Sequence, residues 1–490
     1  MAPPNILFVF ADQLRYDSLA CSGNRIVRTP RLDRMAAEGV AFDQAFSSCP
    51  ICSPYRGQIL TGNYSHVNGV RCNEYRLFDD QRTLADRLSE HGYRSAWIGK
   101  WHLGRGPYPP GKRHGFDDLL AHNCLHHYYK VSYHHNERGP IPIREYAPEG
   151  ETRLTLQWIA DHRRDHPDTP FFAVLSWGPP HWTEGEGRGY RWYPQEYCRY
   201  RPEDVDVPAN VPEPLRAFAA GEFADYYGMV TSLDACMGRL LDGLEEMGLG
   251  DDTIVCFSSD HGDHMYAHGY GKDGDHWMHS SRHASKATPY EESIRIPLIV
   301  RYPRRVPAGR RSETMFNSVD VPSTLMALAE LPAPEGVQGR DLSHAALGRA
   351  GEEPDSVYLQ ILGPGWPHRR QWAGLWRGVR TREYVYARWH DLDGMRVLYD
   401  LRSDPLERNN LAGRPEHAGL LEQAEERLRR WMAETGDPFD TGRRLGETRM
   451  LDLGQALTSR KAHQWLPPEY ARAIEPNYGR FRTGDRIEFT

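Results

Sequence analysis

Positive charge is in short supply in this chain, and lysine is especially rare. Lys and Arg together number 60 against 67 Asp and Glu, which gives a formal net charge of −7, and only six of the 60 are lysines. Nucleic-acid binding needs a basic footprint, so this balance excludes that class of partner. Because lysine is rare, a lysine inside a motif is a stronger candidate for function than for surface filler.

Long apolar runs are also missing. No stretch of 18 apolar residues occurs, so the sequence predicts no membrane-spanning helix and no membrane partner. The apolar run at residues 6–11 is short, follows no positively charged segment and leads into Asp12. It therefore predicts a strand rather than a signal peptide, and a cytoplasmic location. Eight cysteines in 490 residues are too sparse to predict a disulfide scaffold.

The chain is long enough for a large core divided between two domains. Over residues 1–350, buried-type strands alternate with helical patterns, which predicts an α/β domain with a mostly parallel mixed sheet between helices. Short strands and one amphipathic helix predict a smaller C-terminal α+β domain with an antiparallel sheet over residues 351–440. Residues 441–490 form a polar C-terminal extension, which raises the hypothesis of a homo-oligomer in which this extension reaches a neighbouring subunit.

Polar side chains follow four of the predicted strands in the first domain. Asp12, Lys100, His181 and Asp260 each lie within a few residues of a strand's C-terminal end. In parallel sheets these ends share one edge, where ligands bind. The sequence therefore predicts that the four side chains meet in one site.

Cys52 begins a short pattern, Cys52-Ser53-Pro54-Tyr55-Arg56, that is typical of a helix start. Pro54 suits a first helical turn, and the backbone N–H groups there favour an anion. Arg56 lies one turn later and can reach the same spot. Other readings stay open on the pattern alone: Cys49 and Cys52 form a Cys-x-x-Cys that fits a redox pair or half a zinc site, and a free cysteine is often a small buried hydrophobe.

Further residues suggest a metal and a clamp for an anion. Oxygen-rich ligands with one imidazole suit Ca²⁺, Mg²⁺ or Mn²⁺, and cations around a tetrahedral group stabilise the charge of a sulfuryl or phosphoryl transfer. The candidate metal ligands are Asp12, Gln13, Asp260 and His261, the candidate clamping cations are Arg56, Lys100 and Lys286, and the candidate acid and base are His102 and His181.

Taken together and in order, these motifs resemble the formylglycine-dependent (type I) sulfatases of the alkaline phosphatase superfamily. The likeness covers roughly residues 5–435. The matching segments are Asp12-Gln13, Cys52-Ser53-Pro54-Tyr55-Arg56, Gly99-Lys100-Trp101-His102-Leu103-Gly104, Pro180-His181, Asp260-His261-Gly262, Lys286 with Tyr290-Glu291-Glu292-Ser293, and, near the C-terminus, Leu398-Tyr399-Asp400-Leu401, Asp404-Pro405, Glu407 and Asn410-Leu411.

The resemblance implies an alkaline phosphatase-like fold and a hydrolase that splits a sulfate ester into an alcohol and inorganic sulfate. It implies that a formylglycine-generating enzyme oxidises Cys52, and that one hydroxyl of the hydrated aldehyde attacks sulfur. The implied metal ligands are Asp12, Gln13, Cys52, Asp260 and His261. The implied roles of the others are Arg56 holding the diol, Lys100, Lys286 and His181 binding sulfate, Lys286 or His181 assisting the leaving oxygen, and His102 deprotonating the remaining hydroxyl.

One departure from the family pattern concerns Gln13, since many members carry an acidic residue there. The site is then less anionic, which keeps Mn²⁺ open beside Ca²⁺, the first choice. A similar Asp-Gln pair occurs in the related phosphonate monoester hydrolases and phosphodiesterases, which provide the alternative function. The Lys-Trp-His-Leu-Gly run at residues 100–104 favours sulfate esters, and the expected substrate is a sulfated small molecule or carbohydrate.

Three segments rich in histidine and aromatic residues are candidates for recognising the alcohol part of the substrate, since such rings stack on sugars and aryl groups. Packing beneath long loops is the alternative interpretation. The residues are His122, His126, His127, Tyr128, Tyr129, His134 and His135 in the first segment, Trp182, Tyr190, Trp192 and Tyr193 in the second, and His264, His268, His276, His279 and His283 in the third.

Overall fold

The computed structural model describes residues 3–73, 75–182, 193–268, 286–363, 375–389 and 395–441. The predicted extension at residues 441–490 lies outside these ranges except for its first residue. Within them, no helix is both long and apolar enough to cross a membrane.

Sixteen strands lie in the described residues. They are β1 (Asn5–Asp12), β2 (Val40–Phe42), β3 (Ala45–Phe46), β4 (Arg94–Lys100), β5 (Asp118–His122), β6 (Val131–His135), β7 (Arg138–Ile143), β8 (Phe171–Pro180), β9 (Thr253–Ser259), β10 (Leu298–Arg301), β11 (Arg310–Ser312), β12 (Phe316–Asn317), β13 (Ser356–Ile361), β14 (Trp376–Thr381), β15 (Tyr384–Trp389) and β16 (Arg396–Asp400).

The large sheet has ten strands in the order β11-β2-β10-β9-β1-β8-β4-β5-β6-β7. Its five central strands, β9, β1, β8, β4 and β5, run parallel. The antiparallel pairs flank them, as β9/β10/β2 on one side and β5/β6/β7 on the other. The predicted mostly parallel mixed sheet is confirmed.

Helices cover both faces of this sheet. Those described are α1 (Pro30–Ala37), α2 (Cys52–Thr61), α3 (Ser65–Asn68), α4 (Leu84–Ser89), α5 (Ala147–Asp165), α6 (Glu213–Glu246), α7 (Glu291–Ile294), α8 (Val321–Leu328), α9 (Ser343–Leu347) and α10 (Ala418–Thr435). In β1, Leu7, Val9 and Ala11 pack into the core shared with α1, α5 and α6. Ile6, Phe8 and Phe10 alternate with them and pack into the core shared with α2, α4 and α8. Because successive strand residues face opposite sides, a strand buried on both faces is apolar throughout.

The smaller sheet is antiparallel, with strand order β13-β14-β15-β16. One face packs on the large domain through residues such as Trp376 and Tyr399, and the other packs on α10 through Tyr386 and Leu428. This confirms the predicted α+β architecture. The sequence predicts strands at residues 357–362, 383–389 and 397–401, which correspond to β13, β15 and β16, and does not predict β14.

The central strand order positions the candidate site. Strands β9, β1, β8 and β4 are neighbours, and their carboxyl ends lead into Asp260, Asp12, His181 and Lys100. Asp12 pairs in register with Pro180, which directly precedes His181. The prediction that these strand ends share one edge is therefore confirmed.

Candidate active site

Helix α2 starts at Cys52, as the sequence predicts. Ile51 before it is extended (φ −142°), and every residue of the helix is buried. The Ser53 hydroxyl donates to the His102 carbonyl (2.6 Å), and the Ser53 amide donates to the Asn73 side-chain oxygen (3.0 Å). These bonds fix the start of α2 against the loop that follows β4.

The sulfur of Cys52 lies among charged and metal-ligating groups. His261 Nε2 and Lys286 Nζ are each 3.3 Å from Sγ, and Asp12 Oδ1 is 3.6 Å away. Ligand atoms of Asp12, Cys52, Asp260 and His261 all lie within 4.8 Å of one another. Such a set of buried oxygen, nitrogen and sulfur atoms can hold one metal ion.

The two carboxylates of this set differ in their environment. Burial raises the pKa of Asp12, but the combined charge of its neighbours, led by the adjacent Lys100 ammonium and including Lys286, outweighs that effect and holds the pKa well below its usual value. Burial and the nearby charge of Asp12 raise the pKa of Asp260 to about 6. Arg56 Nη2 lies 3.4 Å from Asp260 Oδ2 and 3.6 Å from Asp12 Oδ2, so one guanidinium group is within ion-pair distance of both carboxylates.

His261 has the tautomer that a metal ligand needs. Its Nδ1–H donates to the Gly262 carbonyl (2.8 Å), which leaves the Nε2 lone pair facing Asp12 and Asp260. Burial and the charge of Lys286 hold the pKa of His261 well below its usual value, so the ring is neutral. Glycine is required at 262, because a Cβ there would lie 2.0 Å from the Glu292 carbonyl oxygen.

Gln13 is held by a residue that the sequence reading left out, Asp263. The Gln13 side-chain amide donates to the Asp263 carboxylate, and its oxygen accepts from Lys286 Nζ (3.1 Å). The Gln13 backbone, at φ +70°, donates to Asp260 Oδ1 (2.9 Å). Asp263 thus orients the amide oxygen toward the site. A signal was present, because a second acid three residues after Asp260 can reach the same edge.

Arg56 has two further partners that spacing alone does not reveal. Its Nη1 donates to the Lys100 carbonyl (2.8 Å) and to the Ser176 hydroxyl (2.6 Å), while its guanidinium carbon lies 4.8 Å from the centre of the Phe10 ring. Strands β4, β8 and β1 supply these three contacts. Arg56 therefore ties α2 to the centre of the sheet.

His181 forms a stacked pair with His126. The ring centroids are 3.7 Å apart and the planes differ by 16°. His181 Nδ1 donates to the Trp182 carbonyl (2.8 Å), and its buried Nε2 has no hydrogen-bond partner within the described residues. Burial and the charge of Lys286 hold its pKa well below the usual value. His126 comes from the first predicted recognition segment.

The small domain supports Lys286. The indole of Trp376, in β14, donates to the carbonyl of Ala287 (3.0 Å), and the Ala287 amide donates to the carbonyl of Pro50 (3.2 Å). Lys286 is 2% exposed. The site therefore gathers three buried cations, Arg56, Lys100 and Lys286, around the carboxylates of Asp12 and Asp260, and a third buried carboxylate, Asp263, bonds to Gln13. Next to Cys52 itself the cations outnumber the carboxylates, which suits an anionic substrate group there, since an unpaired buried charge is costly.

Comparison with known proteins agrees with this chemistry. The sulfatase family model matches residues 4–331, and a second model, for the C-terminal part of N-sulphoglucosamine sulphohydrolase, matches residues 280–434. The chain belongs to the sulfatase family. This sulfatase is therefore a hydrolase of sulfate esters.

Relatives and structural neighbours extend over most of this sulfatase. An ulvan-active sulfatase of Formosa agariphila is 32% identical over 446 residues, which cover 89% of this chain and 82% of the relative. A Bacteroides thetaiotaomicron structure from work on glycosaminoglycan metabolism has a TM-score of 0.78 at 26% identity, covering 91% of this chain and 99% of that one. The phosphonate monoester hydrolase of Agrobacterium radiobacter has a TM-score of 0.68 at 23% identity, covering 88% and 96%, and this likeness shows the fold alone.

Several predicted recognition residues of this sulfatase contact other protein groups. His135 Nε2 lies 3.0 Å from Asp118, His264 Nε2 lies 2.6 Å from the Thr288 hydroxyl, and the Tyr193 hydroxyl donates to Asp225 (3.2 Å). Tyr190, Trp192, His276, His279 and His283 lie outside the described residues.

Proposed function

We propose that this sulfatase hydrolyses sulfated carbohydrates with a formylglycine at position 52. The observation that carries the proposal is the environment of Cys52 Sγ, which lies 3.3 Å from both His261 Nε2 and Lys286 Nζ and within the group of possible metal ligands. A group at this position touches the metal ligands and a sulfate-binding cation at once. That placement is what an activated nucleophile needs.

The donor set fits one divalent cation. Asp12, Asp260 and the neutral His261 would hold it with residue 52, and the oriented amide oxygen of Gln13 would complete the set. We propose Ca²⁺, with Mn²⁺ as the alternative that the imidazole and amide keep open. When bound, the cation would lower the pKa of a hydroxyl at residue 52 and stabilise negative charge.

The side chains have the following proposed roles. A hydrated formylglycine at position 52 would supply a hydroxyl to attack sulfur as the bond from sulfur to the alcohol oxygen breaks. Lys100 and Lys286 neutralise the charge on the sulfate oxygens, and Lys286 gives a proton to the departing oxygen; His181, whose Nε2 carries no proton in the free site, takes this role only after it has been protonated. Arg56 holds the diol and the two carboxylates.

The second half of the reaction frees the sulfate. His102 removes the proton from the remaining hydroxyl, the carbon–oxygen bond to sulfate breaks, and the aldehyde forms again. Water then rehydrates the aldehyde for the next turnover. An ordinary serine sulfate has no second hydroxyl with which to collapse in this way.

A carbohydrate is the proposed substrate class because relatives over most of the chain are named for such substrates, including the ulvan-active sulfatase and an N-acetylglucosamine-6-O-sulfatase of Bacteroides thetaiotaomicron, 26% identical over 538 residues. The alternative is a phosphonate monoester or phosphate diester. The likeness to the phosphonate hydrolase concerns the fold, so sulfate esters remain the preferred class.

Peptide mass spectrometry and a substrate panel test this proposal. In protein matured by a formylglycine-generating enzyme, we expect formylglycine at position 52 and turnover of sulfated saccharides above that of matched phosphonate and phosphodiester substrates. Cys52→Ala should lose about 10⁴-fold or more in kcat. Cys49→Ala, the matched control, should keep activity. An unmodified Cys52 in active enzyme would overturn the mechanism, and a preference for phosphonates would select the alternative.

A further inference from the structure

A second buried cluster of possible metal ligands lies where the small domain meets the large one. We call it the joint cluster; it consists of His268, Glu292 and Glu407. His268 follows β9 and its loop, Glu292 lies in α7, and Glu407 follows β16. One ligand atom from each lies within 4.8 Å of the other two. Lys286 lies six residues before Glu292, so the cluster adjoins the segment that carries a sulfate-binding lysine.

The spacing of the polar atoms resembles one shell of metal ligands. His268 Nε2 lies 3.1 Å from Glu292 Oε2, and the Asn210 side-chain amide lies 2.6 Å from Glu292 Oε1, 3.3 Å from His268 Nε2 and 3.3 Å from the Leu406 carbonyl oxygen. Neighbouring ligands of one ion, each bound at about 2.1 Å, are separated by about 3 Å.

Hydrogen bonds alone leave this arrangement incomplete. The two amide N–H groups of Asn210 can donate to Glu292 Oε1 and to the Leu406 carbonyl, and a protonated His268 Nε2 can donate to Glu292 Oε2, but these bonds leave other buried atoms unpaired. Two atoms have no partner within the described part of the chain, Asn210 Oδ1 and Glu407 Oε1, although Asn210 is 8% and Glu407 2% exposed. Amide oxygen and nitrogen have nearly the same shape. Turning the Asn210 amide would point its oxygen at His268, Glu292 and the Leu406 carbonyl.

The carboxylates in the same region do not share their cations equally. Glu291 takes both nearby arginines, Arg380 through bonds of 2.9 and 3.1 Å and Arg295 at 3.6 Å, so among the described residues Glu292 and Glu407 have no arginine within ion-pair distance. Glu407 Oε2 accepts the Glu291 amide (2.8 Å). A divalent cation would neutralise Glu292 and Glu407 together.

We propose that His268, Glu292 and Glu407, with the Asn210 side-chain oxygen and the Leu406 carbonyl, bind a second divalent cation. One imidazole among oxygen ligands admits Mn²⁺, as at the active site, and also Zn²⁺. The His268 ring stacks on Tyr290 with centroids 3.7 Å apart, and Tyr290 lies between Lys286 and Glu292. The ion therefore fastens the Lys286 segment to the small domain.

Metal counting on the full-length protein tests the second site. Protein stripped with a chelator is dialysed against Zn²⁺ or, separately, Mn²⁺, and bound metal is measured by plasma mass spectrometry. We expect two equivalents in the wild type, one in Glu407→Gln, one in Asp260→Asn and none in the double variant. Glu426→Gln, on the exposed side of α10, should keep two. A Glu407→Gln variant that binds as much metal as the wild type would overturn the proposal.

Crystals of the wild-type protein provide a test that does not depend on a variant. Anomalous scattering measured at the absorption edge of Zn or Mn should show a peak bounded by His268 Nε2 and the carboxylates of Glu292 and Glu407. A peak at Asp12 and Asp260 alone would also overturn the proposal. Because the two peaks are independent, failure of the second site leaves the proposed mechanism at Cys52 intact.

Discussion

The active site and the joint cluster are both buried, and both combine carboxylates with an imidazole, yet their surplus charge is opposite. Around residue 52 the cations Arg56, Lys100 and Lys286 outnumber the carboxylates Asp12 and Asp260, while a third carboxylate, Asp263, bonds to Gln13. At the joint, Arg380 and Arg295 both pair with Glu291, so among the described residues Glu292 and Glu407 have no arginine within ion-pair distance.

This difference in charge determines which kind of ion each cluster can bind stably. A buried site with surplus cations stays unbalanced even after a metal has bound, so it needs an anion such as the sulfate group of a substrate. A buried site with surplus carboxylates is balanced once it has bound a cation, and needs nothing further. Their positions agree with this contrast, because the active site lies at the carboxyl edge of a parallel sheet, whereas the joint cluster lies between domains.

Removing one cation from the active site should have the largest effect. Lys286→Met leaves the metal ligands in place but takes away an ammonium group 3.3 Å from Cys52 Sγ. We expect kcat/KM for a sulfated saccharide to fall about 10³-fold, as for loss of one group that stabilises charge in the transition state. Steady-state kinetics measure this loss, and bound metal should stay at the wild-type level.

The matched control is Lys112→Met, since Lys112 is exposed whereas Lys286 is buried. It should change kcat/KM by less than about twofold. If Lys286→Met kept wild-type kinetics, the Lys286 charge would not contribute to binding the sulfate group. The difference in charge between the two clusters would then not explain why one of them binds the substrate.

The sequence was sufficient for the strand-end part of the active site. Asp12, Lys100, His181 and Asp260 could be placed together without knowing the strand order, because parallel strands end at one edge whatever their order. Helix α2 was also predictable, since Pro54 and the following run set its start. These inferences depend on local pattern and on one general property of parallel sheets.

Contacts between distant segments were not predictable. Ser176 and Phe10 meet Arg56 only because β8 and β1 are neighbours, and no spacing in the sequence encodes that. Strand β14 was missed because Arg377 and Arg380 make it look polar. Both arginines are buried by ion pairs, with Asp437 and Glu291 respectively, and tertiary pairing of this kind overrides the local pattern.

Glu151 offers a second test, as a buried carboxylate outside both clusters. It accepts from the Tyr133 hydroxyl (2.6 Å), and burial raises its pKa to about 8. The folded state thus holds this proton more tightly than the unfolded state, so stability is greatest at low pH and falls as pH rises through 8. Between pH 6 and 8 this one carboxyl group should account for a loss of about 2 kcal/mol of unfolding free energy in the wild type.

Urea unfolding of Glu151→Gln at pH 6 and 8 measures the contribution of this carboxyl group. The loss between the two pH values should shrink by about 2 kcal/mol in the variant, because the amide does not ionise. Glu149→Gln, two residues earlier, is the control and should keep the wild-type slope. Equal slopes in Glu151→Gln and the wild type would show that the Glu151 charge is already balanced, most simply by Arg56.

The smallest expected effect comes from adding a carboxylate to the active site, which makes its charge more like that of the joint cluster. Gln13→Glu adds a carboxylate beside Lys286 and removes the donor to Asp263. We expect metal affinity to rise only about tenfold, or 1.4 kcal/mol, because two carboxylates then face each other. The KM for a sulfate ester should rise severalfold through repulsion. Adding Asp263→Asn places an amide donor at position 263 against the new carboxylate at position 13, so the KM should return most of the way to the wild-type value. Isothermal titration measures the metal affinity of each variant, and steady-state kinetics measure its KM. Unchanged KM in both variants would mean that net charge at this edge does not select the anion, and that Lys100 and Lys286 act only at short range.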